Sequence, residues 1–374
     1  MKRILLTGGG SGGHVYPLLA VADALQKISE EVVLFYLGPK SIYDEEFKMR
    51  GISFLEIVSS KFRRYLSPMN LIDIPKFFIG LIQALAKLFK IMPDVVFSKG
   101  GTGALPVVLA AKFYMIPVII HESDSVPGLT NRISGKLADK IGISFSDAAK
   151  YFSKGKIALT GNPIRKSFLS EEISHEHARE ALGFDFEKPL VLVLGGSQGA
   201  VQLNSLIFDN FSLFLKNFYL LHQVGEGNAS SAQNISIQIG KETGIDVSRG
   251  YRYIPFLGTD EMRNALLAAD VVISRAGSGA IFEIAAFGKP SILIPLETSA
   301  GDHQRANAYS YAETGAAVVI EKENLKAHIV LHELGLIASD EKKRKLMIEA
   351  AKIFSKPDAA DIIAREIITL AVRN

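Results

Sequence analysis

A glycine-rich segment near the N-terminus, LLTGGGSGGHVYP (residues 5–17), has the composition of an anion-binding loop. Five glycines fall within the six residues 8–13, directly after a short apolar run. Glycine lets backbone amides approach a ligand closely, and the N-terminus of a following helix adds free N–H groups and a partial positive charge. The segment therefore predicts a strand, a tight loop and a helix that together bind a phosphate or a sugar.

The spacing of Gly8, Gly10 and Gly13 matches the dinucleotide fingerprint G-x-G-x-x-G, so a nicotinamide or flavin site is one alternative. Such a site also requires an acidic residue near the end of the second strand, where it binds the ribose hydroxyls. Here the second predicted strand ends in FYLGPK (residues 35–40), which contains no acidic residue. The sequence therefore disfavours a dinucleotide, and we expect no cofactor.

Three further Gly/Ser-rich loops follow apolar runs and precede helical patterns, at Gly101, Gly196 and Gly277. Four such loops are more than a single cofactor would use. Free N–H groups at helix N-termini suit the pyrophosphate of a nucleotide sugar. The alternative is that each glycine only permits a tight strand-to-helix junction, which is adequate for one loop but a poor explanation for all four.

The chain contains a faint repeat at large separation. GGSGG at residues 9–13 has a counterpart in GGSQG at residues 195–199. Further along, DVVFSKGGTGA at residues 94–104 has a near copy in DVVISRAGSGA at residues 270–280. The two matches occur in the same order, which indicates two similarly built domains.

Val/Ile/Leu-rich runs alternate with stretches of helical period in both halves. They occupy residues 4–7, 32–37, 95–98, 118–121, 190–194, 271–274 and 291–295. Such runs indicate parallel strands covered by helices on both faces. The predicted fold class is therefore α/β, with two Rossmann-like domains whose parallel sheets face each other across a cleft. Ligands of such sheets bind outside the strand carboxyl ends, so the glycine loops of both halves are expected to line that cleft.

Turn-forming residues in TGNPIRKSF (residues 160–168) mark the link between the halves. We expect an N-terminal domain at residues 1–163 and a C-terminal domain at residues 164–356. The remaining segment, residues 357–374, has the pattern of an amphipathic helix and is a candidate to pack back on the N-terminal domain.

Composition restricts the class of protein. The length of 374 residues favours two domains, and 48% hydrophobic residues exclude a disordered chain. A formal net charge of only +3 does not argue for nucleic acid as a partner. The chain has no cysteine, which excludes disulfides and a thiolate nucleophile. Charged residues interrupt the most apolar segment, residues 71–93, so a soluble protein without a membrane span is expected.

Six motifs occur in a fixed order across nearly the whole chain: GGGSGGHVYP, HESDSVPGLTNR, GNPIR, GGSQGAVQLN, SRAGSGAIFEIAAFGKPSILIP and DHQRANA. The ordered set closely resembles the MurG family, which belongs to the two-domain, metal-independent GT-B glycosyltransferases of family 28. The resemblance implies inverting transfer of N-acetylglucosamine from UDP-N-acetylglucosamine (UDP-GlcNAc) to undecaprenyl-diphosphate-linked N-acetylmuramyl-pentapeptide. That reaction converts lipid I to lipid II in peptidoglycan synthesis, and it uses neither a cofactor nor a metal ion.

The resemblance and the chemistry of an inverting transfer together assign roles to residues. The acceptor hydroxyl must lose a proton as it attacks, and negative charge grows on the leaving diphosphate. His14 is the first candidate for the base, and Glu122 is its rival or partner. Ser197 and Gln198 are expected to stabilise the diphosphate together with Arg165.

The resemblance also predicts donor-binding residues in both halves of the chain. Glu283 is expected to accept hydrogen bonds from both ribose hydroxyls, Leu257 to flank the uracil, and Gln304 with His303 to contact the donor sugar. The other expected donor-binding residues are Ser11, Gly12, Gly13, Asp124, Ser278, Gly279, Ala280 and Ile281. At Asp124 the sequence departs from the family, which often has Asn there, so a carboxylate contact would replace an amide contact.

A lipid-linked acceptor requires a surface on the N-terminal domain that meets the bilayer. Residues 71–93, preceded by the basic KFRRY at residues 61–65, combine basic residues with large apolar ones. The apolar candidates are Phe77, Phe78, Leu81, Leu85 and Phe89. We expect this segment to contact an anionic membrane surface, as a peripheral protein on the cytoplasmic face of the plasma (inner) membrane. Proteins of cell-wall synthesis are further candidate partners.

Three other functions remain open at this point. The chain is also compatible with another UDP-sugar transferase that acts on a glycolipid such as diacylglycerol. A UDP-sugar epimerase with the same two-domain fold is the second alternative. A different class of function is a non-catalytic UDP-sugar-binding module in a cell-wall complex. Turnover with defined lipid-linked acceptors separates all three from the transferase that the motifs imply.

Overall fold

The computed structural model divides the chain into two compact units. It describes residues 1–60, 69–169, 173–196, 200–243, 247–297 and 300–372. Unit 1 comprises Met1–Lys166 and Lys356–Asn374, and unit 2 comprises Ser167–Ser355. Both units consist of helices around a parallel sheet, so the predicted α/β class with two Rossmann-like domains is confirmed.

The described part of unit 1 alternates strands with helices. Its strands are β1 (Lys2–Thr7), β2 (Val32–Gly38), β3 (Ser53–Glu56), β4 (Val95–Ser98), β5 (Val118–Glu122), β6 (Lys140–Ile143) and β7 (Ile157–Leu159). Its first helices are α1 (Gly12–Ile28), α2 (Asp44–Met49), α3 (Met69–Ile91), α4 (Ala104–Phe113) and α5 (Leu129–Leu137). These strands form one sheet in the order β3-β2-β1-β4-β5-β6-β7, in which every pairing is parallel.

A short helix, α6 (Lys166–Leu169), leads into unit 2. The described strands there are β8 (Leu190–Leu194), β9 (Tyr219–Gln223), β10 (Tyr251–Ile254), β11 (Val271–Ser274), β12 (Ser291–Leu293) and β13 (Ala317–Val319). They form a parallel sheet in the order β10-β9-β8-β11-β12-β13. Its helices are α7 (His175–Ala181), α8 (Val201–Asp209), α9 (Phe211–Asn217), α10 (Ala229–Thr243), α11 (Val247–Gly250), α12 (Thr259–Ala268), α13 (Ser278–Ala286), α14 (His303–Ala312), α15 (Ala327–Ser339) and α16 (Glu341–Phe354).

The alternation of side chains along β1 explains why its apolar run is continuous. Ile4 and Leu6 pack into one buried cluster with Val15 of α1, while Leu5 packs into another with Val107 of α4. Successive residues of a strand point to opposite faces, so a strand between two helical layers needs apolar residues at every position. In unit 2, Val191 of β8 packs in the same way against helices α8 and α15.

Strand register brings the strand-to-helix loops together at one edge of each sheet. In unit 1, Thr7 pairs with Ser98, and Ser98 pairs with Ile120. In unit 2, Ser274 is the partner of Leu194 and of Leu293. The loops that follow β1, β4 and β5 are therefore neighbours, as are those that follow β8, β11 and β12.

The chain ends in α17 (Ala359–Val372), which belongs to unit 1 and packs against α1. Ile363 and Ile367 of this helix are buried in the same cluster as Leu18 and Val21 of α1. Among the helices of the described residues, none combines the length and the apolar character needed to cross a bilayer.

Candidate active site

The imidazole of His14 lies between the two glycine loops of unit 1. The loop after β1 ends at Ser11, and the Oγ of this residue lies 2.8 Å from Nδ1 of His14. Gly9 N–H donates a hydrogen bond to the carbonyl of Gly100 (2.9 Å), which joins the β1 loop to the β4 loop. A Cβ atom at Gly101 would lie 2.9 Å from Nε2 of His14, and one at Gly9 would lie 3.2 Å from Nδ1. Glycine at position 101 is therefore required for the imidazole to fit, and glycine at position 9 relieves a tight contact with it.

The surroundings of His14 keep its ring neutral. Burial is the main cause that lowers the pKa of His14 to about 4, and the positive charge of Lys99 acts in the same direction. The negative charge of Asp124 opposes them. The imidazole is therefore unprotonated at neutral pH, which is the form that a general base requires.

Lys99, the first residue after β4, is a buried cation whose role the sequence motifs did not assign. Its side chain is 3% exposed. Nζ lies 2.8 Å from Nδ1 of His121 and donates to Oγ of Ser123 and, at 3.4 Å, to Oδ1 of Asn162. Burial lowers the pKa of Lys99 to about 8, so the ammonium form still dominates at pH 7.

His121 at the end of β5 is neutral and fully hydrogen-bonded. Its Nε2 lies 2.8 Å from the carbonyl oxygen of Gly161, which can only accept, so Nε2 carries the proton and Nδ1 accepts from Lys99. Burial lowers the pKa of His121 well below its usual range, and the charge of Lys99 adds to this effect. His121 thus links β5 to the GNPIR segment.

Both carboxylate oxygens of Glu122 accept hydrogen bonds from within unit 1. Oε1 accepts from the backbone N–H of Asp124 (2.9 Å), and Oε2 accepts from Nδ2 of Asn131 (3.0 Å). Burial raises the pKa of Glu122 to about 7, as does the negative charge of Asp124. The side chain is 4% exposed. This geometry suits a residue that holds the turn bearing Asp124.

Arg165 is placed beside the first turn of α1. Its guanidinium carbon lies 4.3 Å above the ring centre of Tyr16. A cation over an aromatic face is held in a defined orientation. Ser11, Gly12 and Gly13 precede Tyr16 at the start of α1, and a Cβ atom at Gly12 would lie 3.3 Å from the Tyr16 ring, so Tyr16 links this segment to Arg165 within unit 1.

In unit 2, the glycine loop after β11 opens into free space at the start of α13. Gly277 is the N-cap of α13, and a Cβ atom at Gly277 or Gly279 would have no atom of the described residues within 4 Å. Ser278, Gly279 and Ala280 are half-buried, whereas Ile281 is buried. Free N–H groups at an accessible helix N-terminus form a site for an anionic or polar ligand.

The other predicted donor-binding residues of unit 2 differ in accessibility. Glu283 is half-buried in α13, little more than one turn from its N-terminus, whereas Leu257 is 4% exposed. His303 is half-buried at the start of α14, and Oε1 of Gln304 accepts a hydrogen bond from the N–H of Leu296 (3.1 Å). Gln304 therefore braces the loop after β12.

Two predicted residues, Ser197 and Gln198, lie outside the described residues. Among the residues that are described, no three His, Asp or Glu side chains are grouped so that they could hold a metal ion.

Arg275 in unit 2 is a second basic residue to which the motifs assigned no role. Its Nη1 donates to the carbonyls of Ile294 (3.2 Å) and Pro295 (3.3 Å), and its Nη2 donates to Oε1 of Gln202 (3.1 Å). The sequence contained a sign of both residues. The repeat of residues 94–104 and 270–280, which we call the DVV repeat, has Lys99 and Arg275 at the same position of its two copies.

Comparison with known proteins identifies the family. The family model described as the glycosyltransferase family 28 N-terminal domain matches residues 4–143, and the one described as the C-terminal domain of the same family matches residues 190–363. The chain belongs to glycosyltransferase family 28. The resemblance that the six motifs indicated is therefore confirmed.

Family 28 relatives match the chain over nearly its whole length. It is 38% identical over 346 residues to the UDP-N-acetylglucosamine--N-acetylmuramyl-(pentapeptide) pyrophosphoryl-undecaprenol N-acetylglucosamine transferase of Clostridium tetani, covering 91% of each chain. It is also 38% identical to the transferase of the same name from Treponema denticola, over 97% of this chain and 96% of the relative. The crystal structure of Acinetobacter baumannii MurG superposes with a TM-score of 0.75 at 25% identity, covering 99% of this chain and 100% of that structure.

Proposed function

We propose that this family 28 enzyme transfers N-acetylglucosamine from UDP-GlcNAc to undecaprenyl-diphosphate-linked N-acetylmuramyl-pentapeptide, and so converts lipid I to lipid II with inversion at the anomeric carbon. The observation that carries the proposal is the match to two transferases named for this reaction over 91% and 97% of the chain. We call the candidate residues of one unit its half-site. Residues of both half-sites lie inside the matched domains, since His14 and Glu122 fall within residues 4–143 and Glu283 within residues 190–363.

In this proposal, unit 2 binds the donor. The accessible N-terminus of α13 provides N–H groups for the nucleotide. The carboxylate of Glu283 accepts hydrogen bonds from both ribose hydroxyls, because one carboxylate has enough lone pairs for two donors. Leu257 flanks the uracil. Ser197 and Gln198, together with Arg165, stabilise the charge that grows on the diphosphate.

Unit 1 removes the proton in this proposal. The acceptor oxygen forms a bond to the anomeric carbon while the bond to the diphosphate breaks, and the electron pair of that bond leaves with UDP. The proton of the acceptor hydroxyl passes to the neutral imidazole of His14. The enclosed position of Glu122 supports a different role for this residue, in which it holds the turn so that Asp124 contacts the sugar.

The transfer reaction itself tests the proposal and separates its alternatives. The full chain is incubated with labelled UDP-GlcNAc and, in separate reactions, with lipid I, with diacylglycerol or with no acceptor. We expect label in lipid II alone. Label on diacylglycerol would identify a glycolipid transferase, and conversion of UDP-GlcNAc to its 2-epimer without acceptor would identify an epimerase. Binding without any turnover would identify a non-catalytic module.

We further propose that α3 contacts the membrane from which the acceptor is drawn. One face of this helix carries exposed apolar side chains at regular helical spacing: Ile74, Phe78, Ile82 and Phe89. Exposed Lys76 and Lys90 flank them. Such a face suits an anionic lipid surface. Of the other predicted contacts, Phe77, Leu81 and Leu85 are half-buried, and residues 61–65 lie outside the described residues.

Vesicle binding tests the role of α3. Replacement of Phe78 and Ile82, which are 57% and 67% exposed, by Ser should weaken binding to vesicles of anionic lipid by about tenfold or more, because both apolar side chains leave water when they insert. The matched control replaces Leu346 and Ile353 of α16, which are 57% and 77% exposed, by Ser. Equal binding of both folded double variants and the unchanged chain would contradict this role.

A further inference from the structure

The ammonium group of Lys99 joins three segments of unit 1 that are far apart in the sequence. An ammonium group has three N–H donors and no acceptor. Lys99 has three acceptors in reach: Nδ1 of His121, Oγ of Ser123 and Oδ1 of Asn162. Ser123 in turn donates to Oδ1 of Asn162 (3.0 Å). One buried cation therefore ties the β4 loop to the turn after β5 and to the GNPIR segment.

The loop that begins with Lys99 contacts the imidazole of His14. Lys99 directly precedes the glycine pair Gly100 and Gly101, whose backbone packs against the β1 loop and the imidazole. The titratable groups whose charges act on Lys99, or on which its charge acts, are His14 from α1, His121 and Glu122 from β5, and Asp124 from the following turn. Tyr36 of β2 also reaches the β1 loop, where its hydroxyl donates to the carbonyl of Gly8 (3.1 Å). The charges of Lys99, Glu122 and Asp124 act strongly on one another and on the protonation of both histidines, because little water screens them.

A buried cation has a cost that a structural role alone does not explain. Removing an ammonium group from water is unfavourable, and well-packed apolar residues of similar volume often stabilise a protein as well as a buried charge does. A methionine at position 99 would fill the same space. The charge at position 99 is therefore not required to fill the space, and it lies where it can act on the neighbouring titratable groups.

We propose that Lys99 is a positioning residue of the half-site in unit 1: its ammonium group holds the turn that bears Asp124 and supplies a fixed positive charge to the surroundings of the His14 imidazole. The inference rests on the proposed function, in which His14 accepts the proton of the acceptor hydroxyl. The charge favours the neutral ring before the reaction. It does so without touching the substrate.

Two substitutions separate the effect of the Lys99 charge from the effect of the volume of its side chain. Lys99→Met removes the charge and keeps most of the volume, whereas Lys99→Arg keeps the charge and alters the geometry. Because a nearby positive charge lowers the pKa of a histidine, its removal should raise the pKa of His14. The control variant is Lys136→Met, which removes an exposed lysine of α5 in the same unit.

The test is an NMR titration of the full chain with isotope-labelled histidine, in which the His14 signal is identified by its loss in His14→Gln. The pKa of His14 should rise by about half a pH unit or more in Lys99→Met and stay unchanged in Lys99→Arg and Lys136→Met. If Lys99→Met does not fold, Lys99→Gln removes the charge and gives the same readout. An unchanged His14 titration in the uncharged variant would overturn the inference.

The pH profile of transfer provides the second readout. His14 must be neutral to act, so the acid limb of kcat/KM should move to higher pH in Lys99→Met and not in Lys99→Arg, even where kcat falls in both. A uniform loss of rate without movement of the limb would assign Lys99 a structural role only. The titration does not depend on turnover, so failure of this inference is distinguishable from failure of the proposed function, in which the unchanged chain makes no lipid II.

Discussion

The two copies of the DVV repeat place a basic residue on the same scaffold but surround it differently. Asp94 and Asp270 each accept a hydrogen bond at 2.7 Å from a backbone N–H, that of Arg3 in unit 1 and that of Leu190 in unit 2. Each aspartate thereby fixes the start of its strand against the first strand of its sheet. The scaffold below the two loops is therefore the same.

The basic residues that follow these strands differ in what they contact. Lys99 contacts side chains next to titratable groups, whereas Arg275 donates to two backbone carbonyls and to the amide of Gln202. The five rigid donors of a guanidinium suit a fixed backbone, and the point charge of an ammonium suits electrostatic control. We infer that unit 1 uses its copy for proton chemistry and unit 2 uses its copy to shape a binding loop.

The glycine loops of the two units also differ in how much space surrounds each glycine. In unit 1, a Cβ atom at Gly101 would collide with Gly9 and with His14, both at 2.9 Å, and one at Gly9 would lie only 3.2 Å from Nδ1 of His14. In unit 2, a Cβ atom at Gly196, Gly277 or Gly279 would meet no atom of the described residues within 4 Å. The packing explanation thus holds for Gly101 in unit 1, while Gly13 of unit 1 and the open loops of unit 2 leave space that suits a ligand.

The largest effect should come from the proposed base in unit 1. His14→Gln should lower kcat by about 10²–10⁴-fold, because the acceptor hydroxyl loses the group that takes its proton. The Kd for UDP-GlcNAc, measured by calorimetry, should change little, since in this proposal the nucleotide of the donor binds to unit 2 and His14 acts on the acceptor. The control is His177→Gln, at an exposed position of α7. Near-normal kcat in His14→Gln would remove the proton role from unit 1.

A smaller effect is expected in unit 2, on the KM for the donor rather than on kcat. Glu283→Gln should raise the KM for UDP-GlcNAc by about 10–100-fold, because the ribose hydroxyls lose hydrogen bonds to a charged acceptor. The kcat at saturating donor should change little. Glu313→Gln, at an exposed position after α14, is the matched control. Steady-state kinetics with varied donor would refute the assignment if KM stayed the same.

Gly101 and Gly277 hold the same position in the two copies of the DVV repeat, and alanine at each tests whether the glycine is needed for packing. Gly101 has a φ of +83°, and a Cβ atom there would lie 2.9 Å from Gly9 N, so Gly101→Ala should lower the free energy of unfolding by about 1–3 kcal/mol. Gly277 has a φ of −68° and open space around it, so Gly277→Ala should lower the free energy of unfolding by no more than about 1 kcal/mol, the loss expected when alanine replaces glycine at an N-cap. Urea titration of both variants measures the difference, and equal losses would argue against it.

The smallest effect is predicted for the contacts of Arg275. Arg275→Lys should lower the free energy of unfolding by about 1 kcal/mol, because an ammonium group cannot reproduce the forked contacts to Ile294 and Pro295. The acid limb of the pH profile should not move, in contrast to Lys99→Met. Arg249→Lys, where the side chain is 60% exposed, serves as the control. A shift of the acid limb of kcat/KM in Arg275→Lys would contradict the inferred difference in role between Arg275 and Lys99.

Most interior strands were predicted from the sequence, whereas the edge strands β3 and β7 and the interior strands β6 and β9 were not. The apolar runs at residues 4–7, 95–98 and 190–194 correspond to strands buried on both faces. Strands β3 and β7 are short, and they are half-exposed at the edges of the sheet, so they have no continuous apolar run. A hydrophobicity pattern identifies a strand only where helices cover both of its faces.

Candidate residues were found from the sequence where a motif contained them, and they were missed where the strand order of the sheet brings them together. His14 and Glu122 stand inside recognisable motifs, but the role of Lys99 depends on a strand order that brings residues 99, 121 and 162 together. The sequence likewise did not indicate that Glu122 has both oxygens occupied. Along α3 it did not separate exposed Phe78 from half-buried Leu85, because both are apolar.

The most direct test of the account is the stoichiometry and stereochemistry of one reaction. The full chain is mixed with UDP-GlcNAc and lipid I, and released UDP, lipid II and the configuration of the new glycosidic bond are measured together. The account predicts one UDP released for each lipid II formed, with the anomeric configuration inverted. Release of UDP without lipid II, or a product that retains the donor configuration, would contradict it.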